Sequence, residues 1–207
     1  MTPEDTVMVH TAPSPRVDAP RRRRSTSTDI ALVAVFAALI AALGVAPPIY
    51  AFGAAVPVTL QTLGVMLAGS VLGARRGALA VLVLLALVAV GLPLLSGGRG
   101  GLGVFAGPSA GYLVGWVAGA WVVGRLTSLF GDRWGLASGL VANVVGGILV
   151  VYLVGVPVQA WRLSTSTLTG AAIASVVYLP GDLAKAVIAT LVTRGVRRAG
   201  IRVPVGG

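Results

Sequence analysis

Six apolar runs, roughly 30–46, 58–73, 77–95, 109–127, 135–156 and a last one ending near Thr193, take up most of this 207-residue chain. Stretches of about 20 apolar residues are what a helix needs to cross a bilayer. Only 11% of the residues are charged and 56% are hydrophobic, too little polar surface for a soluble domain of this size. The sequence therefore predicts an all-α membrane protein with six transmembrane helices.

Several chemistries are excluded at once. Cysteine is absent and the one histidine, His10, precedes the first apolar run. Neither a thiolate, a His- or Cys-based metal site nor a Ser–His triad is available inside the membrane. No metal and no bound cofactor are expected. A net charge of +10 raises nucleic acid as a partner, but the arginines flank apolar runs and form no basic face interleaved with aromatics. The expected surroundings are lipid, in a bacterial cell membrane.

Residues 1–29 are polar and close on Arg21-Arg-Arg-Arg24, which reads as a disordered tail ending in a basic topology signal. Arg-rich, apolar and small-residue parts in that order also fit a secretory signal peptide. The polar part is long for one and the apolar run overshoots its usual length, so the first apolar segment is expected to be retained. Residues 30–198 then form the membrane domain and 199–207 a short C-terminal tail. Leaving out Arg16 in the tail and Lys185, twelve of the fourteen other cations fall on one side of this six-span layout and only Arg99 and Arg162 on the other. The positive-inside rule puts the crowded side, with both termini, in the cytoplasm.

Loops 47–57, 96–108 and 157–169 are thereby external. The first two are rich in Gly and Pro and should be irregular. Irregular backbone at membrane depth is tolerated where protein buries it or a cavity lies beside it. External loops capping an outward-facing pocket are the expectation.

Asp182 and Lys185 are the only acidic residue and only lysine in the last 75 residues. A charge inside the bilayer costs at least about 2.5–3.5 kcal/mol, so it persists when paired or facing a wet cavity. Spacing i, i+3 places both on one helix face. Pro180-Gly181 interrupts the run before them, which predicts a short external helix near 167–178 and a sixth span starting at Pro180. Asp182 then sits in the first helical turn, where free N–H groups favour a carboxylate. It lies twelve residues before Arg194, about 18 Å of helix, which puts the pair in the outer half of the membrane. A polar floor for a small ligand is the functional reading; a mutual bridge fixing helix register is the plain one.

Other candidates are weaker. Arg99, with Gly100 and Gly101, lies in the Gly-rich second external loop, as a solvated arginine or an anion-binding guanidinium. Thr59, Gln61 and Thr62 open the second helix. Asn143 is a lone amide in the fifth span, suited to interhelical bonding or to a ligand. Tyr50, Phe52 and Phe105 fit an interfacial belt or a ligand wall. Ala34, Ala38 and Ala42 form a smooth i, i+4, i+8 strip that admits a close helix partner. Gly97-Gly-Arg-Gly-Gly-Leu-Gly lacks the Lys-Ser/Thr of a P-loop, so the chain is not expected to hydrolyse ATP, nor to be an enzyme.

Taken together, Val56-Pro-Val-Thr-Leu-Gln-Thr-Leu through Arg75-Arg-Gly-Ala-Leu-Ala80, Gly91-Leu-Pro, Gly97-Gly-Arg-Gly-Gly-Leu-Gly, Gly107-Pro-Ser-Ala-Gly-Tyr-Leu113 and Leu179-Pro-Gly-Asp-Leu-Ala-Lys-Ala186 resemble the BioY family. These are the biotin-binding S components of energy-coupling-factor importers. The resemblance covers roughly residues 30–198. It implies biotin bound from outside, and docking through first-helix alanines onto a membrane coupling subunit served by two P-loop ATPases. By position it makes Asp182 and Lys185 the polar pair and Arg99 with its glycines the external binding loop. It makes Ala34, Ala38 and Ala42 the docking strip. Tyr112, Gln61, Thr59 and Asn143 are further candidate substrate contacts. Ser109 and Ala110 stand where the family often has Thr-Gly, and Leu84 where it often has Tyr. Biotin fits the chemistry: its ureido ring, thiolane and anionic valerate call for polar partners, an apolar wall and a cation. The competing readings are a carrier of another vitamin-sized ligand and a structural membrane protein. An intramembrane hydrolase is disfavoured because no Ser/His or Asp/Asp pair is evident.

Overall fold

A computed structural model describes residues 26–50, 56–163 and 167–200. The Arg21–Arg24 run, Phe52 and most of both tails lie outside them. Helices α1 (Thr26–Leu43), α2 (Gln61–Leu72), α3 (Ala74–Ala89), α4 (Ala110–Phe130), α5 (Leu136–Arg162), α6 (Leu168–Ser175) and α7 (Leu179–Arg198) follow one another. Among the described residues there is no β-strand, only the isolated bridges Ile49–Val58 and Leu95–Arg99. The all-helical class is as expected. Thr26–Leu43, Ala110–Phe130, Leu136–Arg162 and Leu168–Arg198 are long and apolar enough to cross a membrane, whereas Gln61–Leu72 is a shorter apolar helix.

Helix α4 is the hub, packing against α2, α3 and α5. It can do so because Gly111, Gly115 and Gly119 make a smooth strip along it. A Cβ on Gly115 would stand 2.9 Å from the Val151 carbonyl oxygen, and one on Gly119 2.7 Å from that of Gly146. Small residues at this spacing bring helix backbones together in lipid. The strip is in plain view in the sequence, where the alanines of α1 drew the attention instead. Those alanines, Ala34, Ala38 and Ala42, are exposed, while α1 packs on α2 and α3 through its other face.

Several boundaries differ from expectation. Helix α1 starts four residues before position 30, with Asp29 in its first turn paired to Arg76 at 3.0 Å. Helix α5 does not stop at Val156: Pro157 lies inside it and the helix runs on to Arg162, so much of the expected loop 157–169 is helical. Proline in such a helix is tolerated where neighbours hold the chain. Here Gln159 bonds Tyr112, and Val158 packs so close to α4 that only Gly111 fits opposite it. Helices α2 and α5 each contain a π-helical stretch, Ala68–Leu72 and Val145–Val150, which the apolar pattern did not reveal. The Pro-Gly pair does not interrupt the chain as expected: helical backbone runs on from Leu168 to Arg198, and only a change of helix type precedes Pro180. Helix α6 and a short 3-10 turn, Val176–Tyr178, precede α7, which carries Pro180 at its start and Asp182 in its first turn.

Candidate functional site

The start of α7 delivers two ionisable side chains into the interior, where Asp182 is 6% and Lys185 5% exposed. Lys185 Nζ lies 2.8 Å from Asp182 Oδ1. Thr62 of α2 joins both: it accepts from Lys185 Nζ at 3.0 Å and donates to Asp182 Oδ1 at 3.3 Å. The second carboxylate oxygen accepts from the Tyr152 hydroxyl of α5 at 2.7 Å. Three helices thus meet on one carboxylate. A buried ion pair recovers its desolvation cost only when further hydrogen bonds satisfy it, and these supply them.

This cluster borders a cavity of about 50 Å³ whose other walls include Val56, Val58, Thr59, Arg99, Ser109, Tyr112, Trp116 and Tyr178. Arg99 comes from the second loop, where a tight turn is closed by paired backbone bonds between Leu95 and Arg99, at 3.0 and 3.2 Å. Gly100 is required there because a side chain would strike the Leu92 backbone, and Gly101 because its φ is +80°. Arg99 Nε donates to the Ser96 carbonyl oxygen at 3.2 Å and Nη1 to Ser109 Oγ at 3.3 Å. The residue that departs from the family's usual threonine thus still offers a hydroxyl. Ala110 and Leu84, the other two departures, are buried.

The remaining candidates separate by what their polar atoms do. Thr59 and Tyr112 line the cavity. The Tyr112 hydroxyl bonds Gln159 Oε1 at 2.8 Å and Ser175 Oγ at 3.0 Å, and its ring meets Tyr152 edge to face with centroids 6.1 Å apart. Gln61 is among the lining residues, but its amide ties α2 to α1 and to the 94–96 segment. Nε2 donates to the carbonyls of Ile40 and Leu94, and Oε1 accepts from the Ser96 N–H at 3.0 Å. It holds the Arg99 loop in place. Gly100 and Gly101 shape that loop and are not among the lining residues.

Asn143 is placed elsewhere. It accepts from Ser70 at 3.0 Å and donates to Gly139 and Thr190 at 3.0 and 3.1 Å. Its amide is spent on joining α2, α5 and α7 away from the cavity. Tyr50 and Phe105 do not line the cavity either. Sequence reasoning passed over Tyr152, Trp116 and Tyr178 as site residues. An aromatic in a span reads as hydrocarbon, and the only signal for Tyr152 was a hydroxyl in an otherwise apolar span.

The sequence model of the BioY family matches residues 17–202. The chain is 49% identical to the biotin transporter BioY of Rhizobium etli, over 83% of this chain and 94% of that one. It is 47% identical to the biotin transporter BioY of Rhodobacter capsulatus, over 80% and 91%. Its fold matches a crystal structure of the S-component for biotin from an ECF-type ABC transporter with a TM-score of 0.76. That match covers 85% of this chain and 95% of the other at 31% identity. From the fold, the apolar helices and these matches, the chain is a multi-pass cell-membrane protein and belongs to the BioY family.

Proposed function

We propose that this chain is a biotin-binding S component, which captures biotin from outside and serves an energy-coupling-factor module. The observation that carries this is the buried cluster of Asp182, Lys185, Thr62 and Tyr152 on a cavity whose other cation is Arg99. A carboxylate offers about four lone-pair sites and an ammonium three donors. Asp182 uses three of those sites and Lys185 two of its donors. One acceptor and one donor therefore remain within the cluster, the complement that a ureido N–H and its carbonyl require. The pair is neutral as a unit. Among the described residues the ion pairs employ Asp29 and Asp182, so Arg99 is the cavity cation without an acid. The anionic valerate therefore points to Arg99, the ureido ring to Asp182 and Lys185, and Trp116 and Tyr152 face the thiolane.

The same reading assigns six spans, with α2 and α3 as short ones, and cytoplasmic termini, supported by twelve cations against two. The exposed strip of Ala34, Ala38 and Ala42 is the docking face for a membrane coupling subunit, whose two P-loop ATPases supply the energy. Calorimetry on the purified chain tests the reading. Biotin should bind reversibly without turnover and without partners; no binding, or ATP hydrolysis by the pure chain, would sink it. Ala38→Trp should leave that binding intact and abolish ATP-driven uptake, because a ring on the strip prevents close helix approach. Uptake that survives with complex formation unchanged would remove the strip from the docking face.

A further inference from the structure

A second recess shares Tyr152 with the substrate cavity. It is an apolar groove of about 570 Å³ between α5 and the α6–α7 segment, walled by Leu149, Leu153, Pro157, Leu168, Ala172 and Leu179. Its size is that of specific ligand pockets, roughly 300–1,000 Å³. No charged side chain lines it, and its two hydroxyls are turned to other partners. Tyr152 donates to Asp182, and Ser175 bonds the Ala171 carbonyl oxygen and Tyr112. What the groove presents is hydrocarbon.

Leu149, Leu153, Pro157 and Trp161 recur every four residues along α5 and so share one face. Leu153 and Trp161 are 75% and 73% exposed. At the Trp161 end, the Arg162 guanidinium lies over the indole ring, 4.6 Å from its centroid. Tryptophan settles at the membrane–water interface, and the arginine beside it puts a cation at headgroup depth. Among the described residues Arg162 takes part in no ion pair.

We infer that this groove binds one phospholipid with an anionic headgroup. An acyl chain lies along the apolar wall against Tyr152, and the phosphate meets Arg162. The bilayer supplies the occupant because the wall opens on exposed faces of α5 and α6 and the cation stands at their headgroup end. The inference rests on the membrane placement proposed above. It adds a lipid contact to the tyrosine that fixes Asp182.

The test uses the delipidated full-length chain, titrated with dioleoyl-phosphatidylglycerol or dioleoyl-phosphatidylcholine and read by native mass spectrometry. One phosphatidylglycerol should be retained per chain, with about fivefold preference over phosphatidylcholine. Arg162→Gln should erase the preference, and Ala172→Trp should expel both lipids by filling the groove. Ala172→Leu replaces the Trp variant if that one fails to fold. Equal retention of the two lipids, or a preference that survives in folded variants, would overturn the site. A dimer that neither lipid perturbs would also overturn it, giving the groove to a second copy of the chain. Biotin is absent from this assay, so its failure leaves the biotin reading standing. Loss of biotin binding with the lipid preference intact would count against the biotin reading alone.

Discussion

Helix α7 carries two buried polar clusters about one and a half turns apart, and they are built to opposite ends. The upper one, Asp182 and Lys185 with Thr62 and Tyr152, is charged, borders a cavity and keeps one donor and one acceptor in reserve. The lower one, Thr190 with Asn143 and Ser70, is neutral and closed. Both Asn143 N–H groups are engaged, its carbonyl accepts from Ser70, and Thr190 donates to the Ala186 carbonyl oxygen. Between them Ala186 and Ala189 pack with Met66 and Ile148 into a dry layer. Inside a bilayer every polar group must find a partner. Where the partners are all protein, the cluster joins helices; where some capacity is left over at a cavity, a ligand can complete it.

The sharpest way to break this contrast is to remove one charge from the upper cluster. Asp182→Asn should weaken biotin binding by about 2–5 kcal/mol, the usual loss when one member of a buried hydrogen-bonded charge pair is cut. Calorimetry in detergent reads it directly, and an unchanged affinity in a folded variant would make the pair irrelevant to the ligand. A smaller effect comes from Tyr152→Phe, which deletes one hydrogen bond to a charged oxygen while keeping the ring. Its expected cost is about 1.5 kcal/mol, close to a tenfold rise in Kd. A loss below twofold would show that Asp182 does not depend on this hydroxyl.

Asn143→Ala supplies the other half of the contrast. Interhelical hydrogen bonds of this kind average about 0.6 kcal/mol and reach about 1.7, so the thermal midpoint should fall while biotin affinity stays within about twofold. Tenfold weaker binding without loss of stability would place Asn143 in the site after all.

The upper cluster was half legible in the sequence. Two charges in an apolar run cannot be overlooked, and Pro180-Gly181 pointed to Asp182 in the first turn of α7, with Lys185 one turn further on. Their partners were not legible as such. Thr62 read only as one of the polar residues that open the second helix, and Tyr152 lies 30 positions from Asp182, with no local rule to connect them. The lower cluster was read both ways, because a lone amide in a span has the same sequence appearance whether or not its partners are waiting. Gln61 shows the same limit: its amide clamps the Arg99 loop from 33 and 35 positions away. Pro157 misled in the opposite direction. A local breaker was overruled by the packing of Val158 and Gln159 against α4.

The central claim is that Asp182 and Lys185 both meet the ligand rather than only each other. Asp182→Asn, Lys185→Ala and the double variant, each confirmed as folded by helicity, should be titrated with biotin by calorimetry. Either single change is expected to cost at least about tenfold, roughly 1.4 kcal/mol. The double variant is expected to bind no better than the weaker single, because each group has lost its own contact with the ligand. A double variant that recovers towards wild-type affinity would contradict this, since it would mean the singles failed only by stranding a lone buried charge.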